Sequence, residues 1–419
     1  MSLLSDLYPP DEYPKQLSIF LTTRCNLKCF VCNRDGYKGI DLKFENIYKL
    51  ANAIKYAKKV DLTGWGECFL YPRFEDVLDY IYSQNSKEDL IFITTNGTRL
   101  TKHIASLLRG RLYLFVISLN AATPETYNRD MQNGNFEKTL STIQTFLSEL
   151  RQDDRSKIEL HFVAHAENFR EIPDFVALAY KLGIPAVSVG NYLISRIERF
   201  KYSLIHVSEE YNDIIDKSRE LGGKLGVSVA GRKFFTEIKK ECSQEKCRSP
   251  FDECFIEPDG KVKSCCFVGN KSMGNAYETS FEDVWFGEEY LKLRETRYLP
   301  ACQKCVPFIP FDDYAAHFTA DIKKTDVFKR YEAADAFNRE GVDLLNAGNM
   351  DGARAAFLRS VEQNVEFTTA HNNLGLISCH QGKYVDAIRH FAKALQLEPS
   401  NLMIMENIEK TYEILRASK

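Results

Sequence analysis

The chain has 419 residues, 44% of them hydrophobic, and a formal net charge of −3. That places it among globular proteins of two or three domains and gives no electrostatic footprint for general nucleic-acid binding. No apolar run approaches the length of a membrane span, and the first residues lack the basic-then-apolar order of a secretory signal. No nucleic-acid or membrane partner is therefore expected, and the expected location is cytoplasmic, where thiols stay reduced.

Twelve cysteines stand at positions 25, 29, 32, 68, 242, 247, 254, 265, 266, 302, 305 and 379. Three lie in one early loop and seven between 242 and 305. Clustering of this kind in a reducing compartment points to metal binding rather than disulfides.

Residues 1–14 read as an N-terminal segment. Leu17–Leu21 reads as a buried strand that leads straight into Thr23–Cys32, where Cys25, Cys29 and Cys32 are spaced Cys-x3-Cys-x2-Cys. Three thiolates on a tight loop can hold one face of an iron–sulfur cluster and leave one iron of a four-iron cubane open. A structural zinc knuckle wants four ligands, and the next Cys and His are Cys68 and His103.

Helix and strand patterns then alternate. Helical stretches are expected at Asn46–Lys58, Phe74–Ser83, Thr101–Leu108, Asn135–Leu150 and Ile172–Lys181. Strands are expected at Val60–Leu62, Leu90–Ile93, Leu112–Ser118, Ile158–Val163 and Ala186–Gly190. With the first strand this makes six βα units over residues 15–200, an α/β fold with a parallel sheet curled into a partial (β/α)6 TIM-like barrel. Chemistry in such barrels sits at the C-terminal ends of the strands. Gly64-Trp65-Gly66-Glu67, Thr94-Thr95-Asn96-Gly97, Ser118-Leu119-Asn120 and Gly190-Asn191 all fall there. His161 and His165 flank the end of the fifth strand. Alternation turns one of them toward the substrate space, the other reading being a half-exposed rim histidine.

Residues 201–241 read as a connector, with a helical stretch at Glu209–Leu221. A small cysteine-rich β-hairpin/α domain is expected over 242–306, because Pro258-Asp259-Gly260 is a strong turn between two short strands. Cys247 and Cys265 flank the hairpin, and Cys302 and Cys305 form a Cys-x2-Cys pair. Four such cysteines suit either tetrahedral zinc or a fully ligated 4Fe-4S cluster. Cys266 can replace Cys265, and Cys242 or Cys254 can belong to a second site. Residues 307–332 read as a linker.

From 333 to 419 the composition turns Ala- and Leu-rich. Gly341, Gly348, Ala353 and Phe357 recur 34 residues later as Gly375, Gly382, Ala387 and Phe391. That period predicts an all-α helical repeat of the tetratricopeptide type, two units closed by a capping helix over Asn401–Ala417. Such a module serves as a docking surface, a dimer contact or a structural appendage.

The Cys-x3-Cys-x2-Cys loop, the Gly64–Glu67 loop and the partial barrel together resemble the radical S-adenosylmethionine superfamily. The run from Cys247-Arg248-Ser249-Pro250-Phe251 through Cys265-Cys266, Gly274-Asn275 and Trp285 to Cys302 and Cys305 is similar to that superfamily's twitch/SPASM extension. The resemblance implies that Cys25, Cys29 and Cys32 hold a 4Fe-4S cluster whose open iron binds S-adenosylmethionine. One electron, from a donor such as flavodoxin or ferredoxin, then yields a 5′-deoxyadenosyl radical that takes a hydrogen atom from substrate. It further implies that Gly64, Trp65, Gly66 and Glu67 receive the methionyl amino group, and that Thr95, Asn96, Ser118 and Asn120 contact the methionyl and ribose parts. Cys247, Cys265, Cys302 and Cys305 would hold an auxiliary 4Fe-4S cluster. Two departures stand out: Trp65 interrupts the family's glycine pair, and Val31 precedes the last cysteine where the family has an aromatic, with Phe30 one place earlier. The expected activity is modification of a peptide or protein side chain or backbone, with the repeats holding the peptide or a carrier. The alternatives are oxidation of a small molecule such as a sugar or aminocyclitol, and a non-catalytic iron–sulfur interaction protein.

Overall fold

Alternate residues of successive strands are apolar and buried: Leu17 and Ile19, Ile91 and Ile93, Phe115 and Ile117, Leu160 and Phe162, Val187 and Val189. That two-residue period gives the sheet one face to pack under helices and one to line an interior. A computed structural model describes residues 12–32, 39–192, 197–233, 248–265, 272–296, 326–397 and 402–417. The chain divides into two compact units, Met1–Ala315 and Ala316–Lys419.

Among the described residues of the first unit, nine strands form one sheet. In chain order they are β1 (Gln16–Ile19), β2 (Lys59–Asp61), β3 (Ile91–Thr95), β4 (Leu112–Ser118), β5 (Ile158–Ala164), β6 (Ala186–Asn191), β7 (Ser228–Gly231), β8 (Glu253–Ile256) and β9 (Val262–Lys263). Strands β1 to β7 lie side by side in chain order and parallel, as βα crossovers dictate. The architecture is the α/β partial barrel that the alternation of elements predicts. Helices Phe74–Gln84, Lys102–Leu108, Phe136–Glu149 and Ile172–Leu182 cover the outer face. Ring pairs join the two layers: Phe115 stacks on Phe146 with centroids 4.9 Å apart, and Phe162 meets Phe175 edge-on at 5.0 Å. Such pairs add about 0.5–1.5 kcal/mol each beyond area burial. Thr101, Thr123 and Asn135 cap helix N-termini through their side chains, worth about 1 kcal/mol each.

In the first unit three boundaries differ from the sequence reading. The stretch 201–241, which reads as a connector, contains the helix Ser208–Leu225 and β7, which pairs parallel with β6. It is thus a seventh αβ unit. Gly222 permits this packing, because a Cβ there would stand 2.5 Å from the Val227 carbonyl oxygen. The hairpin of 242–306 is not set apart from the barrel. Its strand β8 pairs parallel with β1, Leu17 opposite Cys254 and Ile19 opposite Ile256. The N-terminal segment joins the same core: Tyr13 is buried against Tyr56 and Phe281, and Trp285 donates its indole N–H to the Glu12 carbonyl at 2.8 Å. Inside the hairpin, Gly260 has φ +90° and a Cβ on it would stand 2.2 Å from Asn275 Oδ1. The Pro258-Asp259-Gly260 turn therefore requires that glycine.

The second unit is helical. Asp326–Asn346 pairs with Met350–Gln363, Thr368–His380 pairs with Tyr384–Leu397, and Leu402–Ala417 follows as the closing helix. The first helix starts inside the stretch 307–332 that reads as a linker. The recurring residues explain the period: Gly341 lies against the ring of Phe357 and Gly375 against that of Phe391. Each repeat needs one missing Cβ to seat one phenylalanine.

Candidate active site at the C-terminal edge of the sheet

The loop after β1 is fastened before its cysteines begin. Thr22 and Asp41 form an antiparallel bridge, and the Thr22 hydroxyl donates to Asp41 Oδ1 at 2.6 Å. Arg24 donates two hydrogen bonds to the Asp41 carboxylate, at 2.9 and 2.7 Å, and a third to the Leu70 carbonyl at 2.9 Å. The Cys25 sulfur accepts from the Leu27 N–H at 3.5 Å and from the Asn96 amide at 3.7 Å. Asn26 reaches Thr98 at 2.8 Å. On the far side, Lys28-Cys29 pairs antiparallel with Met131-Gln132, the Phe30 N–H donates to the Asp130 carbonyl at 2.7 Å, and Cys32 N–H closes a turn on the Cys29 carbonyl at 3.1 Å. The thiol loop is thus clamped between the ends of β3 and the chain that follows β4.

Exposure sorts the cysteines. Cys25, Cys29, Cys32 and Cys265 are half-buried, whereas Cys68 and Cys254 are buried. Burial raises the Cys68 thiol well above its ordinary pKa and pushes Cys254 up to about 12, so neither is set up as a thiolate. Tyr290 further donates to the Cys254 sulfur at 3.8 Å. Cys254 therefore packs in the core. Among the described residues no three His, Cys, Asp or Glu side chains converge closely enough to hold a single metal ion. Three partly exposed thiols on one clamped loop suit a cubane, whose ligands are thiolates.

Next to this loop lies Gly64–Glu67. A Cβ on Gly66 would stand 2.4 Å from the Arg24 carbonyl oxygen and 2.5 Å from that of Thr22, so only glycine lets the two loops touch. The Glu67 N–H also donates to the Arg24 carbonyl at 2.8 Å. The Glu67 carboxylate is 2% exposed. Its oxygens accept from the Thr95 hydroxyl at 2.7 Å and the Asn96 N–H at 2.8 Å. Burial raises its pKa, opposed by those two hydrogen bonds. Glu67 thus binds the tip of β3 instead of extending into the site.

The other candidates divide in the same way. Asn96 spends its amide on Asn26 and the Cys25 sulfur. Asn120, in the left-handed region at φ +57°, accepts from the Val163 N–H at 2.9 Å and points its Nδ2 at Met131 Sδ. Ser118 lies half-buried on the inner face at the end of β4. Trp65 is half-buried beside the thiol loop's glycine contact. Of the auxiliary set, Cys265 lies two residues past the end of β9. Cys247, Cys302 and Cys305, like Cys242 and Cys266, lie outside the described residues.

The two histidines have opposite roles. His165 is fully buried, and its Nε2 lies 2.9 Å from Asp130 Oδ2. Despite burial, the hydrogen bonds from His165 and Arg129 hold Asp130 below the usual carboxylate range. The ring of Phe30 packs between His165, Tyr192 and Tyr202, with the Arg199 guanidinium 5.0 Å over its face. Arg199 also donates to the Phe30 carbonyl. Phe30 is therefore an anchor for the thiol loop. His161 instead faces the interior. Asp41, Asp130 and Arg199 escape a sequence reading, since each lies far in sequence from the groups it holds and none belongs to a motif.

Comparison with known proteins agrees with this layout. Residues 19–179 match the sequence model of the Radical SAM superfamily, residues 247–306 that of the SPASM iron–sulfur cluster-binding domain, and residues 368–401 the tetratricopeptide repeat. The chain is 25% identical over 322 residues to the tungsten-containing aldehyde ferredoxin oxidoreductase cofactor-modifying protein of Pyrococcus furiosus, covering 70% of this chain and 87% of that one. It is 23% identical over 329 residues to the antilisterial bacteriocin subtilosin biosynthesis protein AlbA of Bacillus subtilis, covering 73% and 67%. Its fold is similar to that of Streptococcus suis SuiB bound to S-adenosylmethionine, with a TM-score of 0.53 at 18% identity over 71% of this chain and 72% of that one. Residues 19–179 thus form a Radical SAM region, followed by a SPASM iron–sulfur cluster-binding region and a tetratricopeptide repeat, and the first two regions imply S-adenosylmethionine, the 4Fe-4S cluster that binds it and an auxiliary 4Fe-4S cluster as cofactors.

Proposed function

We propose that this radical S-adenosylmethionine enzyme removes a hydrogen atom from a peptide or protein substrate held over the C-terminal edge of the sheet. When bound, the cluster and S-adenosylmethionine supply a 5′-deoxyadenosyl radical for that step. Cys25, Cys29 and Cys32 ligate the cluster, on the strength of three half-buried thiols clamped beside a glycine contact that tolerates no side chain. Gly64, Trp65 and Gly66 offer their backbone to the methionyl group, while Glu67, Thr95 and Asn96 hold that backbone in place. Ser118 contributes a hydroxyl from the inner face. Cys247, Cys265, Cys302 and Cys305 ligate the auxiliary cluster, and the C-terminal repeats dock the substrate or its carrier.

The peptide reading is carried by the kind of relative the full catalytic region matches. AlbA is a bacteriocin biosynthesis protein, and SuiB is also known bound to the precursor peptide SuiA, with a TM-score of 0.50 to this chain. The Pyrococcus relative is a cofactor-modifying protein, which supports a small-molecule substrate as the second reading. Deuterium transfer separates them. The reconstituted full chain is given S-adenosylmethionine, dithionite and deuterated candidate substrates, and 5′-deoxyadenosine is analysed by mass spectrometry. Deuterium arriving from a peptide supports the first reading. Deuterium arriving only from sugars, nucleotides or other small molecules overturns it.

A further inference from the structure

The inner face of β5 and β6 carries a chain of polar groups outside the thiol and glycine loops. Glu159, His161 and Val163 alternate with the buried Leu160 and Phe162, and Ser188 and Gly190 alternate with Val187 and Val189. His161 stands opposite Ser118 on one side and Ser188 on the other. The Ser188 hydroxyl bonds to Glu159 Oε1, and His161 Nδ1 lies 2.7 Å from Ser188 Oγ. The ring leans toward the C-terminal edge and lies over Gly190, where a Cβ would stand 3.2 Å from His161 Cε1 and 3.4 Å from Nε2.

Hydrogen counting fixes the direction of this chain. A carboxylate only accepts, so the single hydroxyl hydrogen of Ser188 goes to Glu159. Ser188 Oγ must then accept from His161, which places the ring proton on Nδ1. Burial lowers the His161 pKa from its ordinary value, so the ring is neutral at neutral pH and its lone pair lies on Nε2. Among the described residues no group bonds that nitrogen.

We propose that His161 is the substrate-contacting residue of the barrel interior: Ser188 and Glu159 hold its ring as the Nδ1–H tautomer, and Nε2 accepts a hydrogen bond from an N–H or O–H of the substrate. This rests on the reading above that substrate lies over the C-terminal edge of the sheet. Ser188 and Glu159 are positioning residues, acting through the ring. The chemistry selects a substrate that presents a hydrogen-bond donor to Nε2, which a peptide amide or a hydroxyl provides.

The test needs neither turnover nor cofactor loading, so it fails independently of the proposed activity. Full-length protein labelled with 15N-histidine is observed by long-range proton–nitrogen correlation, and the His161 signals are assigned by their loss in His161→Gln. The expected result is an Nδ1–H tautomer in wild type, its loss in Ser188→Ala and its retention in Ser188→Thr, which keeps the hydroxyl. An Nε2–H tautomer in wild type, or an unchanged tautomer in Ser188→Ala, overturns the proposal. Access to Nε2 is read with diethyl pyrocarbonate, which acylates unprotonated imidazole nitrogens. Peptide mapping is expected to find His161 modified and His165 spared, because both ring nitrogens of His165 are engaged, by Asp130 and by the Glu167 N–H. An unmodified His161 contradicts a lone pair open to substrate.

Discussion

The Glu67 carboxylate accepts the backbone N–H of Asn96 at 2.8 Å, and that bond ties the glycine loop after β2 to the tip of β3. Asn96 in turn donates its side-chain amide toward the Cys25 sulfur at 3.7 Å. A residue that resembles a ligand-binding acid in sequence is thus a buried strut. Its effect on the thiols passes through one neighbour.

Glu67→Ala removes both acceptors and leaves the Thr95 hydroxyl and the Asn96 N–H buried. Each unsatisfied donor costs about 1–3 kcal/mol, so the loss of stability is on the order of 3 kcal/mol. Glu67→Gln keeps one acceptor oxygen and is expected to lose roughly half as much. Urea unfolding of the apo chain checks the order. A Glu67→Ala chain as stable as wild type contradicts the strut.

Asp61 predicts a pH effect with a definite sign. It is buried beneath the glycine loop, where it accepts from the Thr63 N–H at 2.7 Å and the Ser18 hydroxyl at 3.1 Å. Burial, opposed by the Thr63 hydrogen bonds, raises its pKa from 3.8 to about 6. Between those values the folded chain holds a proton that the unfolded chain releases. This group therefore lowers stability as pH rises from about 4 to about 6, and the cost stays constant above that. A displacement of this size corresponds to roughly 3 kcal/mol. Asp61→Asn, whose amide can keep both contacts, should gain up to about that much at neutral pH and almost nothing in acid. Urea midpoints of the two chains compared across pH test this. A parallel pair of curves counts against it.

In the second unit, Gly375→Ala places a Cβ 2.5 Å from the ring of Phe391. Overpacking of this kind costs about 1–3 kcal/mol, and Gly341→Ala against Phe357 should behave alike. Hydrogen exchange over 368–397 should quicken in Gly375→Ala. Unchanged protection there would mean that the ring moves aside without cost.

Cysteine burial predicts an iron count. Cys254→Ala should leave iron per chain unchanged, because the thiol is buried in the core and pushed up to about 12. Cys265→Ala should lower it toward one cluster's worth. Equal iron loss in both chains would assign Cys254 to a cluster.

The catalytic region was legible in sequence because its signals are local. Strand β4 spans Leu112 to Ser118 and so contains the whole, mostly β-branched and aromatic, run Tyr113–Ile117. The thiol spacing and the glycines at the strand ends mark the rim. What stayed hidden depends on register. Nothing in the order of residues shows that Ser188 stands opposite His161, or that Cys254 pairs with Leu17 inside the core. Strand β7 was missed because the short run Ser228–Gly231 has too few residues to declare a period. His161 and His165 share one loop's neighbourhood in sequence, yet the end of β5 turns one inward and buries the other against Asp130.

The most direct test of the central claim is 5′-deoxyadenosine release by the anaerobically reconstituted full chain given S-adenosylmethionine and dithionite. Wild type and Val31→Tyr should release it, while Cys29→Ala and Cys32→Ala should not. Release that persists in the two cysteine variants would contradict the assignment of the Cys25–Cys32 loop as the seat of the radical chemistry.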